Sequence, residues 1–466
     1  DYQLSAVPTV STYVNNTPIF ANFLLKDIAR VEVLRGPQGT LYGSGSLGGT
    51  VRYITRAPKL GESGGSISLT GSSTQGSDGQ GWAGDVAFSV PLGDTLALRV
   101  AGSKVDLPGT MDYRNLYVLD SSGLPSAPNG VLVPTAAYTS KKDADTINIW
   151  YARASLLWQP SDSTDVTISY TAQSDKIGGR RQDTQPLNGV GGVDGFGVPY
   201  SEFQQGAVFL EPSSRDVSLA SLEANFDFGF ATLTSSTSYY DDTGDIDSDN
   251  SGFYAKAGFY ASYYNFPRPN DIAIRSYGDK AFVQELRLAS KTGGALDYVA
   301  GAFYEDQDLQ SVANNYVLGF KRWYNARFPA NVGVVATDND FTYRRDQNYK
   351  EKALFGELTW HSSDTLQFTG GLRYYNYDFQ NDSILGLPSY AGLFPTTTQK
   401  FKNSDNGVLG KLNASWKFAS KQLLYATVSQ GYRRGGANAV PTTGPFAEDP
   451  KYQFYKGSRT SAAVGV

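Results

Sequence analysis

Gly43-Ser44-Gly45-Ser46-Leu47-Gly48 reads G-x-G-x-x-G letter for letter. That spacing lets a nucleotide-binding loop lay backbone N–H groups on a pyrophosphate, provided a strand precedes the glycines and a helix follows them. Here the last glycine leads into Gly49-Thr50-Val51-Arg52-Tyr53-Ile54-Thr55. Val51, Tyr53 and Thr55 are strand formers, and Pro58 stops the segment. The glycines therefore serve the backbone, supplying left-handed conformations and close chain approach. Gly48 and Gly49 are expected to form a tight turn between two short β segments. Metal and thiol chemistry are poorly provided for. The 466 residues contain no Cys, one Met and one His, His361. That excludes disulfides, thiolate sites and any multi-His metal centre within the chain. Nothing in the sequence supports an enzyme.

Two other clusters suggest binding. The run 252–270 carries Phe253, Tyr254, Phe259, Tyr260, Tyr263, Tyr264 and Phe266. Aromatic faces with polar tips suit sugar rings, catechol siderophores or hydrophobic chelates. Tyr254, Phe259, Tyr260, Tyr263 and Tyr264 are the candidate ligand contacts; the plainer reading is that they pack loops together or sit in an interfacial girdle. The run 241–252 places Asp245, Asp247 and Asp249 at alternate positions. Alternate oxygens could hold Ca²⁺, although the helix pair and terminal Glu of an EF-hand are missing and a solvated loop is the plainer reading. Arg180, Arg181 and Arg433 are further candidates, for attracting an anionic solute.

The elements that position these residues are strands. Gly is 50, Tyr 31, aromatics 13% and net charge -5, with no basic block. The electrostatic footprint of a nucleic-acid binder is therefore missing. No apolar run is long enough for a transmembrane helix. From about residue 64, segments of about ten residues alternate apolar and polar. Leu366, Phe368 and Leu372 oppose Gln367, Thr369, Gly371 and Arg373; Phe282, Leu286 and Leu288 oppose Glu285 and Arg287. Turns near 91–94, 159–164, 228–230, 290–295, 361–365 and 418–422 are short. The stretches 107–145, 175–214, 242–277, 309–349 and 378–404 between them are long. Long structureless loops are rare in a compact soluble domain. Short turns on one side and long loops on the other are the pattern of an outer-membrane β-barrel, with apolar faces toward lipid and polar faces toward the lumen. The expected fold is an all-β membrane protein with about 13 strands between residues 64 and 432. The terminal SRTSAAVGV does not read as a finished strand.

The stretch 27–58, DIARVEVLRGPQGTLYGSGSLGGTVRYITRAP, closely resembles the end of the plug domain of TonB-dependent outer-membrane receptors. The elements are R-V-E-V-L-R-G-P from Arg30, then L-Y-G, then G-G-x-V with a closing T-x-x-P. Gly36, Pro37, Tyr42, Gly43, Gly48 and Gly49 are its loop positions. YVNNTPI at 13–19 is similar to a plug strand, although the family more often has an acid where Asn15 or Asn16 stands. QELRLAS at 284–290, GGLRYY at 370–375 and YATVSQGYRRGG at 425–436 resemble barrel strands of one receptor branch. The resemblance implies a small α/β plug, residues 1–60, inside a barrel formed by residues 61–466. A complete receptor has 22 strands, so about nine are expected to be missing here, with the N-terminal plug half and the TonB box. Internal residues between Pro18 and Asp27 are also expected to be lost.

The resemblance further implies TonB-dependent import of a bulky solute across the outer membrane. The default cargo is an iron–siderophore complex, with oligosaccharide and cobalamin as alternatives. TonB with its ExbB/ExbD motor, lipopolysaccharide and lipid are the implied partners; no cofactor is implied. A passive porin-type channel and a surface binding protein are the competing classes. A plug must seal yet release, so ion pairs to the wall are expected, with Glu32 and Arg35 meeting Glu285, Arg287, Glu357 and Arg373.

Overall fold

The computed structural model describes every residue except 1–6, 22, 127–136, 184–199, 268–269, 391–394, 438–448, 453 and 466. Parts of the long loops expected at 107–145, 175–214, 242–277 and 378–404 therefore lie outside the described residues.

Two sheets organise the chain. The first has four strands: β1 (Val10–Val14), β2 (Thr17–Ile19), β3 (Ile28–Arg35) and β4 (Gly49–Thr55), in the order β2-β1-β4-β3. β1 and β2 form a hairpin whose turn places Asn15 at φ 52°. β1 runs parallel to β4, and β3 antiparallel to it. The G-x-G-x-x-G run thus enters a strand. The tight Gly48–Gly49 turn is not formed. Instead a loop from Gly36 to Gly48 joins β3 to β4, containing one helical turn, α1 (Gly39–Tyr42), and Gly36 N–H donates to Gly48 O at 3.1 Å. Gly49 has φ 152°, and a Cβ there would lie 2.4 Å from Leu34 O, which is why only glycine fits.

The second sheet has fourteen antiparallel strands: β5 (Gly64–Ser73), β6 (Gln80–Pro91), β7 (Leu96–Leu107), then β10 (Ile147–Ser161), β11 (Thr164–Ile177), β13 (Ser213–Asp227), β14 (Ala231–Asp249), β15 (Ile272–Ser290), β16 (Leu296–Tyr316), β17 (Asn339–His361), β18 (Leu366–Gly386), β19 (Thr397–Ala419), β20 (Gln422–Arg433) and β23 (Ser458–Gly465). Short strands decorate the loops between them: β8 (Asp112–Tyr117), β9 (Tyr138–Lys141), β12 (Gln204–Gln205), β21 (Gly436–Ala437) and β22 (Phe454–Tyr455). Thirteen wall strands fall between residues 64 and 432, and the terminal segment, read as no finished strand, is the fourteenth. The described strands form an open sheet with β5 and β23 at its edges.

Side-chain parity follows the pleat. On β18, Phe368, Leu372 and Tyr374 are exposed while Arg373, Tyr375 and Tyr377 are buried. On β19, Leu412, Trp416 and Phe418 face outward. These outward residues form the apolar band that lipid covers. The strands also run much longer than the ten residues expected. β17 and β19 reach 23 residues each, because pairing continues above the apolar band where both faces are polar and no alternation signals a strand. The loop 242–277 correspondingly shrinks to the stretch between Asp249 and Ile272, which holds α2 (Ser251–Lys256). The loop between Tyr316 and Asn339 holds α3 (Phe320–Arg327).

The small sheet touches the wall from Asp85 on β6 to Tyr432 on β20. One compact unit can touch both ends of a fourteen-stranded sheet only if the sheet curls around it. The small sheet is therefore a plug and the large sheet its wall.

Candidate functional site

Asp27 is the strongest charged anchor between plug and wall. It sits just before β3 at φ 53°, an unusual conformation for a non-glycine residue. Its carboxylate accepts from Arg99 Nε on β7 at 2.7 Å and from Arg153 Nη2 on β10, and Arg56 of the plug lies 3.8 Å away. All but Arg56 are largely buried. Arg153 also donates to Arg56 O at 3.1 Å. Next to it, Lys26 pairs with Asp85 of β6 at 2.8 Å.

Around the rest of the plug the wall is met by uncharged plug groups, two of them donating to wall carboxylates. Thr40 Oγ1 donates to Glu357 Oε1 at 2.6 Å, Ser429 Oγ donates to Pro37 O at 2.7 Å, and Leu24 N–H donates to Gln173 Oε1 at 2.7 Å. Asn16 Nδ2 donates to Glu223. Gly45 N–H donates to Tyr432 O at 2.9 Å, so plug and wall share a strand-like bridge. A polar cavity of about 340 Å³ separates plug from wall, lined among others by Asn16, Arg52, Ser155, Ser221, Glu223 and Arg287. Hydroxyls and room for water make a seal that can be exchanged for solvent cheaply.

The ion pairs expected across this interface fall elsewhere. Glu32 binds Arg52 Nη1 at 2.8 Å and Arg30 Nε at 2.7 Å, both within the plug. The Arg30 hydrogen bond, with Arg52, outweighs desolvation and holds its carboxyl below the usual range. Arg35 is exposed and makes no ion pair among the described residues. On the wall, Glu285 pairs with Arg287 at 3.2 Å, Glu357 with Lys411 at 3.0 Å and Arg373 with Glu351 at 3.0 Å. The reason is local. Glu285 and Arg287 lie two residues apart on β15, Glu357 reaches Lys411 across Gly371 of the intervening β18, and Arg373 reaches Glu351 diagonally on the adjacent β17, so each finds a wall partner nearer than any charge on the plug. Three of the wall residues still reach the plug. Glu357 accepts from Thr40, Arg287 Nη2 lies 3.5 Å from Asn16 Oδ1, and Arg373 stands over Gly43, where a Cβ would lie 2.9 Å from Nη2. Of the plug-loop residues, Tyr42 accepts through its carbonyl from Tyr13 Oη at 2.9 Å.

Asp27, Arg99, Arg153 and Arg434 were not anticipated. Strand parity places Arg99 and Arg153 inward beside Ala97, Ala101 and Tyr151, so that signal was available. Arg434 follows Arg433, the residue singled out from the sequence. It is buried 4.1 Å from the Tyr349 ring centroid, 5.5 Å from that of Phe20, and 3.3 Å from Glu305 Oε2, while its N–H lies 3.3 Å from Ser44 Oγ of the plug.

At the outer strand ends, the four candidate tyrosines and Phe259 form an inter-loop core. Tyr263 packs edge-on to Phe320, Tyr264 packs on Tyr324 and Phe328, and Tyr254 on Phe259 and Tyr260. Tyr263 is buried, whereas Phe259 and Tyr264 are 44% and 49% exposed. Asp245, Asp247 and Asp249 lie on β14 rather than in a loop. Same-face neighbours on a strand are about 7 Å apart. Among the described residues no three His, Cys, Asp or Glu converge as a metal site. Asp249 instead accepts from the N–H groups of Phe209 and Ser251, at 3.0 and 2.7 Å.

A cavity of about 560 Å³ opens nearby, lined by Asp145, Arg180, Arg181, Glu211, Asp247 and Arg275 with several neighbours. Its size falls within the range of small-molecule sites. Arg180 and Arg181 are half exposed. Burial works to raise the Asp145 carboxyl, but the N–H groups of Met111 and Thr110 and the Arg181 guanidinium outweigh it and hold the group below its usual range. Burial pushes the Glu211 carboxyl up.

Wall, plug and rim together define a plugged outer-membrane β-barrel. Residues 157–462, more than half of the chain, match the family model for TonB dependent receptor-like β-barrels, and residues 5–50 match the TonB-dependent receptor plug domain. The chain belongs to the TonB-dependent receptor family, and its place is the bacterial outer membrane. Similar proteins include the pesticin receptor of Yersinia enterocolitica, 23% identical over 98% of this chain and 58% of the relative. The ferric enterobactin receptor PirA of Pseudomonas aeruginosa is 27% identical over 37% of this chain and 21% of the relative. Among solved structures, the ferric yersiniabactin uptake receptor FyuA of Yersinia pestis superposes with TM-score 0.71 at 18% identity, covering 98% of this chain and 60% of that one. The siderophore receptor PiuA of Acinetobacter baumannii gives 0.63 at 13%, covering 97% and 61%. The chain thus spans about three fifths of the length of these full-coverage relatives.

Proposed function

We propose that this protein takes up a ferric siderophore or a similar bulky iron complex across the outer membrane, driven by TonB. The observation that carries the reading is the polar seat of the plug, with a cavity of about 340 Å³ between plug and wall and two charged anchors at Lys26 and Asp27. Such a seat blocks the lumen and needs little work to disengage. A permanent stopper would be packed dry, and an open porin would have none. The arginine-bearing cavity at the rim supports capture of an anionic chelate. Several similar proteins are named as receptors for iron complexes. With no Cys, one Met and one His, the chain is poorly provided for holding a bare soft metal ion.

The gene product should restore uptake of a radiolabelled ferric siderophore from a panel of catecholates, hydroxamates and phenolates in a strain stripped of its own receptors. Uptake should vanish when tonB is deleted. Transport that persists without TonB, or a panel with no substrate despite normal surface expression, would refute the proposal.

A further inference from the structure

Three neighbouring strands bring a pair of carboxylates together under the aromatic cap. Asp271 immediately precedes β15. Asn315 lies near the end of β16, and Asp340 near the start of β17. The β16–β17 register pairs Asn315 with Phe341 and Tyr316 with Asn339, so Asp340 is the extra residue of a bulge. A bulge re-aims a side chain. Here it turns Asp340 inward, leaving it 3% exposed, beside Asp271 at 0% and Asn315 at 5%.

Half of each carboxylate is accounted for. Asp271 Oδ1 accepts from Asn250 Nδ2 at 2.9 Å and Asn315 Nδ2 at 3.2 Å. Asp340 Oδ2 accepts from Tyr263 Oη at 2.6 Å and Tyr254 Oη at 3.1 Å. The other halves are not. Asp271 Oδ2 and Asp340 Oδ1 are buried without a donor, and so is Oδ1 of the Asn315 amide that sits against Asp271. Among the described residues no Lys or Arg pairs with either aspartate. Asp271 and Asp340 also face one another closely enough to hydrogen-bond, which two carboxyls can do only by sharing a proton; a cation in that proton's place would relieve their repulsion and engage the three oxygens that lack a donor. Oxygen-only ligands are the preference of hard divalent cations, and Ca²⁺ tolerates the irregular geometry of a loop site that water completes.

We propose that Asp271, Asp340 and Asn315 bind a hard divalent cation of the Ca²⁺ type. The site differs from the Asp245, Asp247 and Asp249 run. It clamps the outer ends of β15, β16 and β17. Through the hydroxyls of Tyr254 and Tyr263 it also fixes the aromatic cap. It does not depend on which cargo the receptor takes.

Tb³⁺ is the probe, since Tyr254 and Tyr263 lie within energy-transfer range of a bound lanthanide. The full-length protein in detergent at pH 7.5 should show saturable tyrosine-sensitised Tb³⁺ emission that Ca²⁺ displaces. Asp271→Asn and Asp340→Asn should each weaken binding at least tenfold, while Asp245→Asn leaves it unchanged. Ca²⁺ should also slow protease cutting between residues 250 and 271 in the wild type and not in Asp271→Asn. Emission that is non-saturable, or equal in wild type and Asp271→Asn, overturns the proposal. So does a melting temperature that rises in Asp340→Asn with no effect of Ca²⁺ or EDTA on the wild type, because that result assigns the orphaned oxygens to a shared proton.

Discussion

Asp27 and Arg35 show how position decides the worth of a charge. Asp27 is 5% exposed in its side chain and faces two buried guanidinium groups. Asp27→Ala would strand Arg99 and Arg153 without a counter-charge, a change that costs about 3–5 kcal/mol when a buried pair loses one partner. Cells carrying it should become sensitive to large antibiotics normally excluded by the outer membrane, at unchanged surface expression. Arg35→Ala removes an exposed side chain and should stay within about 0.5 kcal/mol of wild type with the wild-type antibiotic profile. Asp145 gives a pH prediction. Its carboxyl titrates lower in the folded protein than in the unfolded chain, so its contribution is complete above the unfolded value and is lost as pH falls through the folded one. Acidification below about pH 4 should speed proteolysis of the segment around Thr110 and Met111, whose N–H groups Asp145 holds. Rates that stay flat from pH 7 to pH 3 would count against it. The sequence showed that charges point into the lumen. It did not show which partner each would choose, because that depends on register across strands hundreds of residues apart.

At the level of elements, α1 wedges the plug into β20. A Cβ on Gly39 would lie 2.5 Å from Gln430 O and 2.9 Å from Gly431 Cα, and one on Gly431 would lie 2.7 Å from Ser46 O. The two glycines let two backbones meet where no side chain fits. Gly39→Val should therefore unseat the plug without harming the wall: heat-modifiable migration of the barrel on gels should persist, while hydrogen exchange of β3 and β4 accelerates. Protection unchanged from wild type would argue that the contact is dispensable. The neighbouring run from Gly43 to Gly48 was visible as a motif, and its incompatibility with a nucleotide fold was legible from the strand formers that follow, whereas Gly39 and Gly431 carried no such signal. Their true role needed the wall, which approaches from the far end of the chain. The outer halves of β14 to β19 were illegible for a different reason. With polar residues on both faces, as in the stretch from Asn339 to Lys352, periodicity carries no information about pairing.

For the whole molecule, the outward apolar band sets where the protein sits. Leu412 is 69% exposed near its middle. Leu412→Arg should cost about 2–4 kcal/mol of folding stability in lipid vesicles and much less in detergent. An equal effect in both solvents would mean that the face does not meet acyl chains. On β17 the band covers Leu354 to Trp360, and the strand continues outward to Asn339. At about 3.3 Å per residue and the usual tilt, that extension lifts the rim roughly 35–40 Å above the acyl region. The field of the lipid headgroups decays within about 8 Å at physiological salt. An approaching solute at that height therefore senses the arginines and aspartates of the mouth rather than the membrane charge. Association rates should respond to ionic strength and to substitutions such as Arg181→Gln, and be indifferent to whether the surrounding leaflet is neutral or anionic.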